Sequence, residues 1–407
     1  MSGASVGAQF ISLAFIPFIT NLYSPEEFGV LGSFSAIFFV FTPLLGLGYQ
    51  WAIVTAESEE DVLQLRRLVI AAGSVMSVFF AFFYYLLRDL GAVSAADTTH
   101  WLWAILMGLG LFGSSLYIAE FYTCSREQRF VLIGLSNLLR SLIANVAKVC
   151  LGLVYATSLS LVAVTVLAPF IALYVLRRGQ PSSLLKSRSS HPKLKLEIEK
   201  KYSSFLRFKL PQTLAVTIGE WAPMLIVPMV VAPAAVGSFF LARTILGAMQ
   251  NSLGKVLSEI IFSAISRKLR KQSGFPSKKI GVIFAAMAGI LAFPYLAVYL
   301  ASEKVVPILF GSAWFEAGAV LSILSVLYYF DTMFRACGAL LAAVGKLRAH
   351  AIIESTILFA KIIIISASAA VGAGLYEIVF LYTVFTSAVL CLSCFVSVIL
   401  GLQYEEL

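Results

Sequence analysis

Residues 23–39, YSPEEFGVLGSFSAIFF, place a proline and two glutamates between two long apolar runs. Residues 231–246, VAPAAVGSFFLARTIL, contain the same local pattern. Both stretches read Pro-x-x-x-Gly, at Pro25–Gly29 and at Pro233–Gly237, and only the second continues into a basic residue, Arg243. The match is short, and proline and glycine are common in turns. It nevertheless predicts two halves that each begin with a similar helical hairpin.

The composition identifies a protein of the membrane interior. Hydrophobic residues make up 60% of the 407 residues and charged residues 13%, and the mean hydropathy is +0.92. Soluble domains are about 45–50% apolar and about 25% charged. The apolar runs are too long for the alternating strands of a membrane barrel, so we expect an all-α polytopic membrane protein.

Apolar runs of about 20 residues, the length that crosses a bilayer, occur twelve times. We predict spans at 4–22, 31–50, 68–87, 101–121, 131–155, 158–176, 210–230, 236–262, 280–301, 317–342, 349–370 and 376–400.

The basic residues predict the orientation of these spans. One set of alternate loops, 51–67, 122–130, 177–209, 263–279 and 343–348, holds 22 of the 30 Lys and Arg residues, and the opposite set holds only Arg88 and Lys304. Basic loops stay cytoplasmic, so both termini should be cytoplasmic. The net charge of +9 then reflects topology and contact with anionic lipid headgroups, and it requires no nucleic-acid partner.

Residues 177–209 form the only long hydrophilic break and divide the sequence into two sets of six spans. We predict an N-terminal six-helix lobe at 1–176, a basic cytoplasmic linker at 177–209 and a C-terminal six-helix lobe at 210–407. The end of the linker fits either an amphipathic surface helix or a flexible tether. Six spans per half give both copies the same orientation, a parallel repeat typical of transporters that open a central cleft alternately to either side.

Charged residues inside predicted spans are the candidate functional residues, because each costs at least about 2.5–3.5 kcal/mol at mid-bilayer. On the fifth span, Asn137, Arg140 and Lys148 share a small, polar stripe. On the eighth, Arg243 and Gln250 share a stripe with two glycines. Neither stripe contains an acid, so we interpret these cations as candidates for binding an anionic ligand.

Other intramembrane charges are interpreted as structural ion pairs. Asp331 and Arg335 are four residues apart with the acid first, the favourable order on a helix. Glu354 and Lys361 share a face of the eleventh span, which allows them to join that pair, and Lys255 with Glu259 forms a further candidate pair.

Two further features are the Glu220–Trp221 pair, which has several interpretations, and the CLSC sequence, which does not indicate a metal site. Glu220 and Trp221, in the middle of the seventh span, suit a sugar ring, a coupling cation or plain packing. The CLSC sequence at 391–394 has no histidine or second cysteine pair beside it. We therefore expect no metal site.

Four stretches resemble a known family: AQFISLAFIPFITNLYSPEEFGVLGSFSAI at 8–37, SNLLRSLIANVAKVCLGL at 136–153, VGSFFLARTILGAM at 236–249 and ILFGSAWFEAGAVLSILSVLYYF at 308–330. Together they are similar to the polysaccharide-transporter family of the multidrug/oligosaccharidyl-lipid/polysaccharide (MOP) exporter superfamily. The short segment before the first span lacks the basic residues that usually begin such proteins.

The resemblance implies a flippase for undecaprenyl-pyrophosphate-linked oligosaccharide, such as an O-antigen repeat unit, in the bacterial inner membrane. It implies substrate contacts at Arg140, Lys148 and Arg243, since arginine is a preferred donor to diphosphate. It also implies no catalytic residues and no cofactor beyond a coupling H+ or Na+, and it implies a polysaccharide polymerase and chain-length regulator as partners.

Three other classes stay open, one of which is an assembly subunit without transport activity. A cation-coupled multidrug antiporter of the same superfamily usually carries an acid in its first span, whereas residues 4–22 hold no charge. A membrane glycan polymerase or ligase usually has a long outer loop with catalytic residues, and the longest predicted outer loop here is short.

Overall fold

The computed structural model describes residues 2–89, 100–178, 201–270 and 277–402, and these form thirteen α-helices. They are α1 (Ser2–Thr20), α2 (Pro25–Phe41), α3 (Tyr49–Thr55), α4 (Glu59–Asp89), α5 (His100–Arg126), α6 (Phe130–Val154), α7 (Ser158–Arg178), α8 (Leu210–Ile226), α9 (Pro233–Arg270), α10 (Ser277–Phe310), α11 (Phe315–Ala343), α12 (Leu347–Ala370) and α13 (Leu375–Leu402).

The all-α prediction is confirmed, and each of the twelve predicted spans corresponds to one long helix, with α3 as a short additional helix. Among the described residues, nine helical stretches are long and apolar enough to cross a membrane, and the apolar stretch Val6–Thr20 of α1 is shorter. Exposed apolar side chains such as Val78 on α4 and Phe293 on α10 suit contact with lipid.

Helix α2 begins where the quoted stretch predicts a turn. Pro25 occupies the first helical position, where its missing N–H costs nothing, and Glu26 and Glu27 lie in the first turn. The Ser24 backbone N–H donates to Glu27 Oε2 at 2.8 Å, the backbone half of a capping box. Helix α9 likewise begins with its proline, Pro233.

The predicted second span, 31–50, is wrong at its end. Helix α2 stops at Phe41, and a 3-10 turn follows over Thr42–Leu44. Gly48 then adopts a left-handed φ of 88° before α3 starts. Pro43 provides no backbone N–H for helix continuation, which explains why the helix ends while the sequence stays apolar.

The described chain divides into two compact units. The first comprises Gly3–Tyr23 and Val30–Trp221, and the second comprises Ser24–Gly29 and Ala222–Leu407 together with Ser2. In the first unit, α5 packs against α4 and α7, and α6 packs against α7. The lobe boundaries predicted at 176/177 and 209/210 stay a prediction.

Helix α11 is the core of the second unit. It packs against α9, α10 and α13, and most of its residues are buried. The same unit brings the two Pro-x-x-x-Gly turns into contact with each other. A Cβ on Gly29 would overlap the Pro233 carbonyl oxygen, and a Cβ on Gly237 would overlap the Pro25 carbonyl oxygen.

Candidate functional site

Arg140 on α6 lies beside an aromatic ring from α5. Its guanidinium carbon is 5.5 Å from the centre of the Tyr117 ring. The Tyr117 hydroxyl donates to Asn137 Oδ1 at 3.2 Å, one turn before Arg140. Tyr117 therefore links the two polar residues that the sequence placed on one stripe. The sequence did not single out Tyr117, because only the packing of α5 on α6 brings it there.

The centre of the α6 stripe faces α1. Ser141 Oγ lies 2.9 Å from Ser12 Oγ and donates to the Ala8 carbonyl oxygen at 2.9 Å. The Asn145 amide donates to Ser12 Oγ at 3.3 Å. These contacts use the small polar residues of the stripe to join two helices, so the stripe is a packing surface over this turn.

Lys148 lies further along α6 and is half-buried. Its backbone carbonyl oxygen accepts a hydrogen bond from the Tyr23 hydroxyl at 2.9 Å. Within 2–89, 100–178, 201–270 and 277–402, its ammonium group makes no hydrogen bond or ion pair, and Arg140 makes no ion pair. Two cations of α6 thus lie at membrane depth without a carboxylate partner in the described chain.

The second unit contains a cluster built around Asp331 on α11. Lys361 of α12 donates to Asp331 Oδ1 at 2.8 Å. Arg335 Nε lies 3.5 Å from Asp331 Oδ2, and the Gln250 side-chain amide of α9 donates to that same oxygen. We call Asp331, Lys361, Arg335 and Gln250 the Asp331 cluster. It combines the predicted ion-pair residues with a residue predicted to bind substrate.

The α9 stripe lies beside this cluster. Gly254 is buried, and a Cβ there would meet Arg335 Cδ at 3.5 Å and Thr332 Cγ2 at 3.6 Å. A Cβ on Gly247, one turn before Gln250, would meet no atom within 4 Å. The stripe is therefore filled by Arg335 at one end and open at Gly247.

Arg243 is the third cation of the second unit that concerns the site. It is half-buried on α9, one turn before Gly247.

Glu220 and Trp221 lie on α8. The Trp221 ring stacks on Phe39 of α2, with ring centres 4.9 Å apart and planes inclined at 21°. Glu220 is exposed. One face of the indole is thus occupied by packing, and the sugar, cation and packing interpretations of this pair stay predictions.

The remaining predicted pairs are arranged differently from the expectation. Lys255 and Glu259 on α9 are both exposed, and the described residues hold no ion pair between them. Glu354 lies near His350 instead of Lys361, with 3.6 Å between Glu354 Oε1 and His350 Nε2. Lys361 is directed to Asp331, so Glu354 uses a partner on its own helix.

A buried ion triad in the first unit was missed. Glu120 on α5 is fully buried and pairs with Arg66 of α4, and Arg177 Nε of α7 lies 3.3 Å from the same oxygen, Oε1. The sequence assigned Arg66 to a loop, but α4 begins at Glu59, two turns earlier. Glu59, Glu60 and Asp61 lie in the first turn of α4. They make this stretch hydrophilic, and it was therefore predicted to be part of a loop.

The end of the predicted linker is docked on the first unit. Lys201 Nζ lies 2.7 Å from Glu57 Oε2 and 2.8 Å from Asp61 Oδ2, and the Tyr202 hydroxyl donates to Asp61 Oδ2 at 2.8 Å. Tyr202 is buried against α3 and α4. A Cβ on Gly48 would meet the Phe205 carbonyl oxygen at 2.8 Å. We call the contacts of Lys201 and Tyr202 with Glu57 and Asp61 the linker clasp.

The described residues contain no group of three or more His, Cys, Asp or Glu side chains that could hold a metal ion. Two groups of cationic residues, one on α6 and one around the Asp331 cluster, are the places where an anionic ligand has chemical reason to bind.

A model of the family described as "Polysaccharide biosynthesis protein" matches residues 18–319. That range includes α6 and the α9 stripe and ends before Asp331. Among proteins with curated descriptions, none matches the sequence significantly.

Solved structures share the fold at low sequence identity. A structure described as the lipid II flippase MurJ in an inward closed conformation has a TM-score of 0.78 at 11% identity, covering 100% of this chain and 89% of that one. An inward-facing multidrug resistance MATE transporter of the MOP superfamily has a TM-score of 0.69 at 13% identity, covering 100% and 96%. The eukaryotic MATE transporter AtDTX14 has a TM-score of 0.61 at 14% identity, covering 100% and 97%. These similarities confirm the expected fold.

Proposed function

This chain belongs to the polysaccharide biosynthesis protein family, and from that premise we propose that it is a flippase for an undecaprenyl-pyrophosphate-linked oligosaccharide. The cargo is an O-antigen or other surface polysaccharide repeat unit, carried across the bacterial cytoplasmic membrane by alternating access. The fold likeness to a lipid II flippase and to MATE transporters supports a transporter over an enzyme.

The observation that carries the proposal is the placement of Arg140 and Lys148. Both lie on a membrane-spanning helix with no carboxylate partner in the described chain. A diphosphate group carries about two negative charges, and arginine binds such groups with two parallel hydrogen bonds. A ligand of that charge compensates two cations that would otherwise be costly in the bilayer.

The proposal has further parts. Both termini face the cytoplasm, the basic loops contact anionic lipids, and a gradient of H+ or Na+ drives turnover. A polysaccharide polymerase and a chain-length regulator act on the translocated units outside. The oligosaccharide itself is recognised by its sugars, for which Glu220 and Trp221 are the candidate contacts.

The test is deletion of the gene in a bacterium that makes a defined surface glycan. We expect the polymer ladder to disappear and lipid-linked units to accumulate facing the cytoplasm. An unchanged ladder in a strain with no second flippase overturns the proposal.

Arg243 gives a finer test by complementation of that deletion. Arg243→Ala removes the charge and should abolish ladder formation, whereas Arg243→Lys keeps the charge without the bidentate geometry and should restore part of it. A full ladder with Arg243→Ala at normal protein level excludes an essential contact at this position.

A multidrug antiporter is the second candidate, favoured by the likeness to MATE transporters. Helix α1 contains no charged residue, whereas a cation antiporter needs an acid that its coupling ion and its cationic drug can share. Drug resistance on expression, together with an unchanged polymer ladder on deletion, favours this candidate over the flippase.

A further inference from the structure

The Asp331 cluster holds more positive than negative charge. Asp331 is the carboxylate that both Lys361 and Arg335 contact, so the four-residue cluster has a formal charge of +1. An excess of cations at membrane depth favours the binding of an additional anion.

Asp331 uses both oxygens to hold these donors in place. Oδ1 accepts from Lys361, whereas Oδ2 accepts from Gln250 and faces Arg335. Arg335 also reaches Gln250, with 3.5 Å from its Nη2 to the amide oxygen. Donors from α9, α11 and α12 therefore converge on one acceptor group about the size of one face of a phosphate.

We propose that Asp331 is a built-in substitute for the diphosphate of the substrate, and that the diphosphate displaces this carboxylate from Lys361, Arg335 and Gln250 when it binds. This inference rests on the proposed function and adds a binding site to it. Asp331 keeps the donors oriented between cycles, and by competing for them it weakens substrate binding enough to permit release.

The surroundings of the cluster are compatible with this exchange. The Arg335 side chain is 43% exposed, so it can reach a ligand without first being uncovered. Gly247 faces open space one turn from Gln250 on the same helix. The carboxylate has one negative charge and two acceptor oxygens, whereas a diphosphate offers more of both, so the cations gain interactions on exchange.

The alternative role for Asp331 is a structural lock between α11 and α12. The two roles predict different effects on anion affinity when the Asp331 carboxylate is removed. Removing a competing acid strengthens anion binding. Removing a lock destabilises the protein, because the half-buried Lys361 loses its partner, and it leaves anion affinity unchanged or lower.

The experiment measures binding of inorganic pyrophosphate and of undecaprenyl diphosphate to the purified full chain in detergent. We expect Asp331→Asn to bind both probes about ten-fold more tightly than wild type, the change that one charge-assisted hydrogen bond corresponds to. Glu354→Gln is the matched control, since it also removes one negative charge from the second unit but outside the cluster. Its affinity should equal that of wild type.

Two outcomes separate this inference from the proposed function. If wild type binds neither probe, the diphosphate contact fails and the inference fails with it. If wild type binds and Arg243→Ala weakens binding, but Asp331→Asn does not strengthen it, the inference alone is wrong.

A second variant applies if Asp331→Asn does not fold. In Lys361→Gln, Asp331 keeps Arg335 and Gln250 as partners, and we expect several-fold weaker binding of both probes. Unchanged affinity in a folded Lys361→Gln protein makes Lys361 a structural residue and overturns the inference.

Discussion

Gly29 and Gly237 each lie directly against the first turn of the other's helix. A Cβ built on Gly29 would lie 2.0 Å from the Pro233 carbonyl oxygen, and one built on Gly237 would lie 1.8 Å from the Pro25 carbonyl oxygen. The contact is reciprocal, since each glycine faces the carbonyl oxygen of the proline that begins the other's helix. The two stretches that share a sequence pattern thus contact each other. A residue larger than glycine at either position requires the facing backbone to move.

Gly29→Ala and Gly237→Ala should each destabilise the protein, because the added methyl group forces α2 and α9 apart. Overpacking of this kind costs about 1–3 kcal/mol. Thermal unfolding of the purified protein in detergent measures the effect. Gly289→Ala in α10 is the control, since a Cβ there meets no atom within 4 Å, and alanine is the better helix former. Equal melting temperatures for Gly29→Ala and wild type contradict the contact.

Glu120→Gln should be among the most destabilising single changes in the first unit. It leaves Arg66 buried without a charged partner, a loss of about 3–5 kcal/mol. Glu59→Gln is a matched control because Glu59 is 71% exposed and lies 3.4 Å from Arg126, and pairs at the surface contribute little. Thermal unfolding in detergent should show a large shift for Glu120→Gln and almost none for Glu59→Gln. Similar shifts for the two variants contradict the buried triad.

Asp61→Asn should loosen the linker clasp, because Lys201 and Tyr202 both bond to Asp61. Hydrogen exchange over residues 201–209 should become faster in Asp61→Asn and stay unchanged in Glu60→Gln, an exposed neighbour outside the clasp. Higher salt should have a similar but smaller effect, since the pair is accessible to ions. Equal protection in Asp61→Asn and wild type rules out a role for the clasp in holding this segment.

The pH dependence of the clasp follows from Lys201. Its hydrogen bonds with Asp61 and Glu57 raise the pKa of the Lys201 ammonium group above the ordinary value. The stabilisation of the clasp by protonated Lys201 is therefore fully present below the ordinary pKa of lysine. It is lost only as the pH rises through the raised pKa of Lys201. Hydrogen exchange over 201–209, corrected for its intrinsic rate, should stay constant around neutral pH. A loss of protection near neutrality contradicts the assignment.

Tyr117→Leu should reduce transport, because it removes the ring beside Arg140 and the hydroxyl bonded to Asn137. Tyr117→Phe keeps the ring, so it should retain most activity. A cation–ring contact contributes about 0.5–1 kcal/mol, which corresponds to a change of a few fold. Complementation of the deletion strain measures both variants by the polymer ladder. If Tyr117→Phe is as defective as Tyr117→Leu, the hydroxyl and not the ring positions Arg140.

Sequence patterns predicted the features that depend on neighbours along the chain. The start of α2 follows from the proline at its first position and the glutamates after it, and the helix bundle follows from the lengths of the apolar runs. The break after Phe41 was also encoded, by Pro43 and Gly48. It was overlooked because the apolar composition continues through it, which shows that turn residues outweigh hydropathy at a helix end.

Contacts between distant helices could not be predicted in the same way. Arg66 and Glu120 were each visible as charges, but nothing local indicates that α4 and α5 bring them together. The helix face of Gln250 suggested ligand binding, which stays a prediction, and it gave no indication of the bond to Asp331 of α11. Helix periodicity identifies which residues share a face, and tertiary packing alone decides what that face meets.

The paired glycine turns set a rule for engineering this protein. A hybrid that takes residues 23–39 from one homologue and residues 231–246 from another should be destabilised unless both donors supply glycine at their own turn. A recombination library that varies both stretches should therefore keep those two codons fixed.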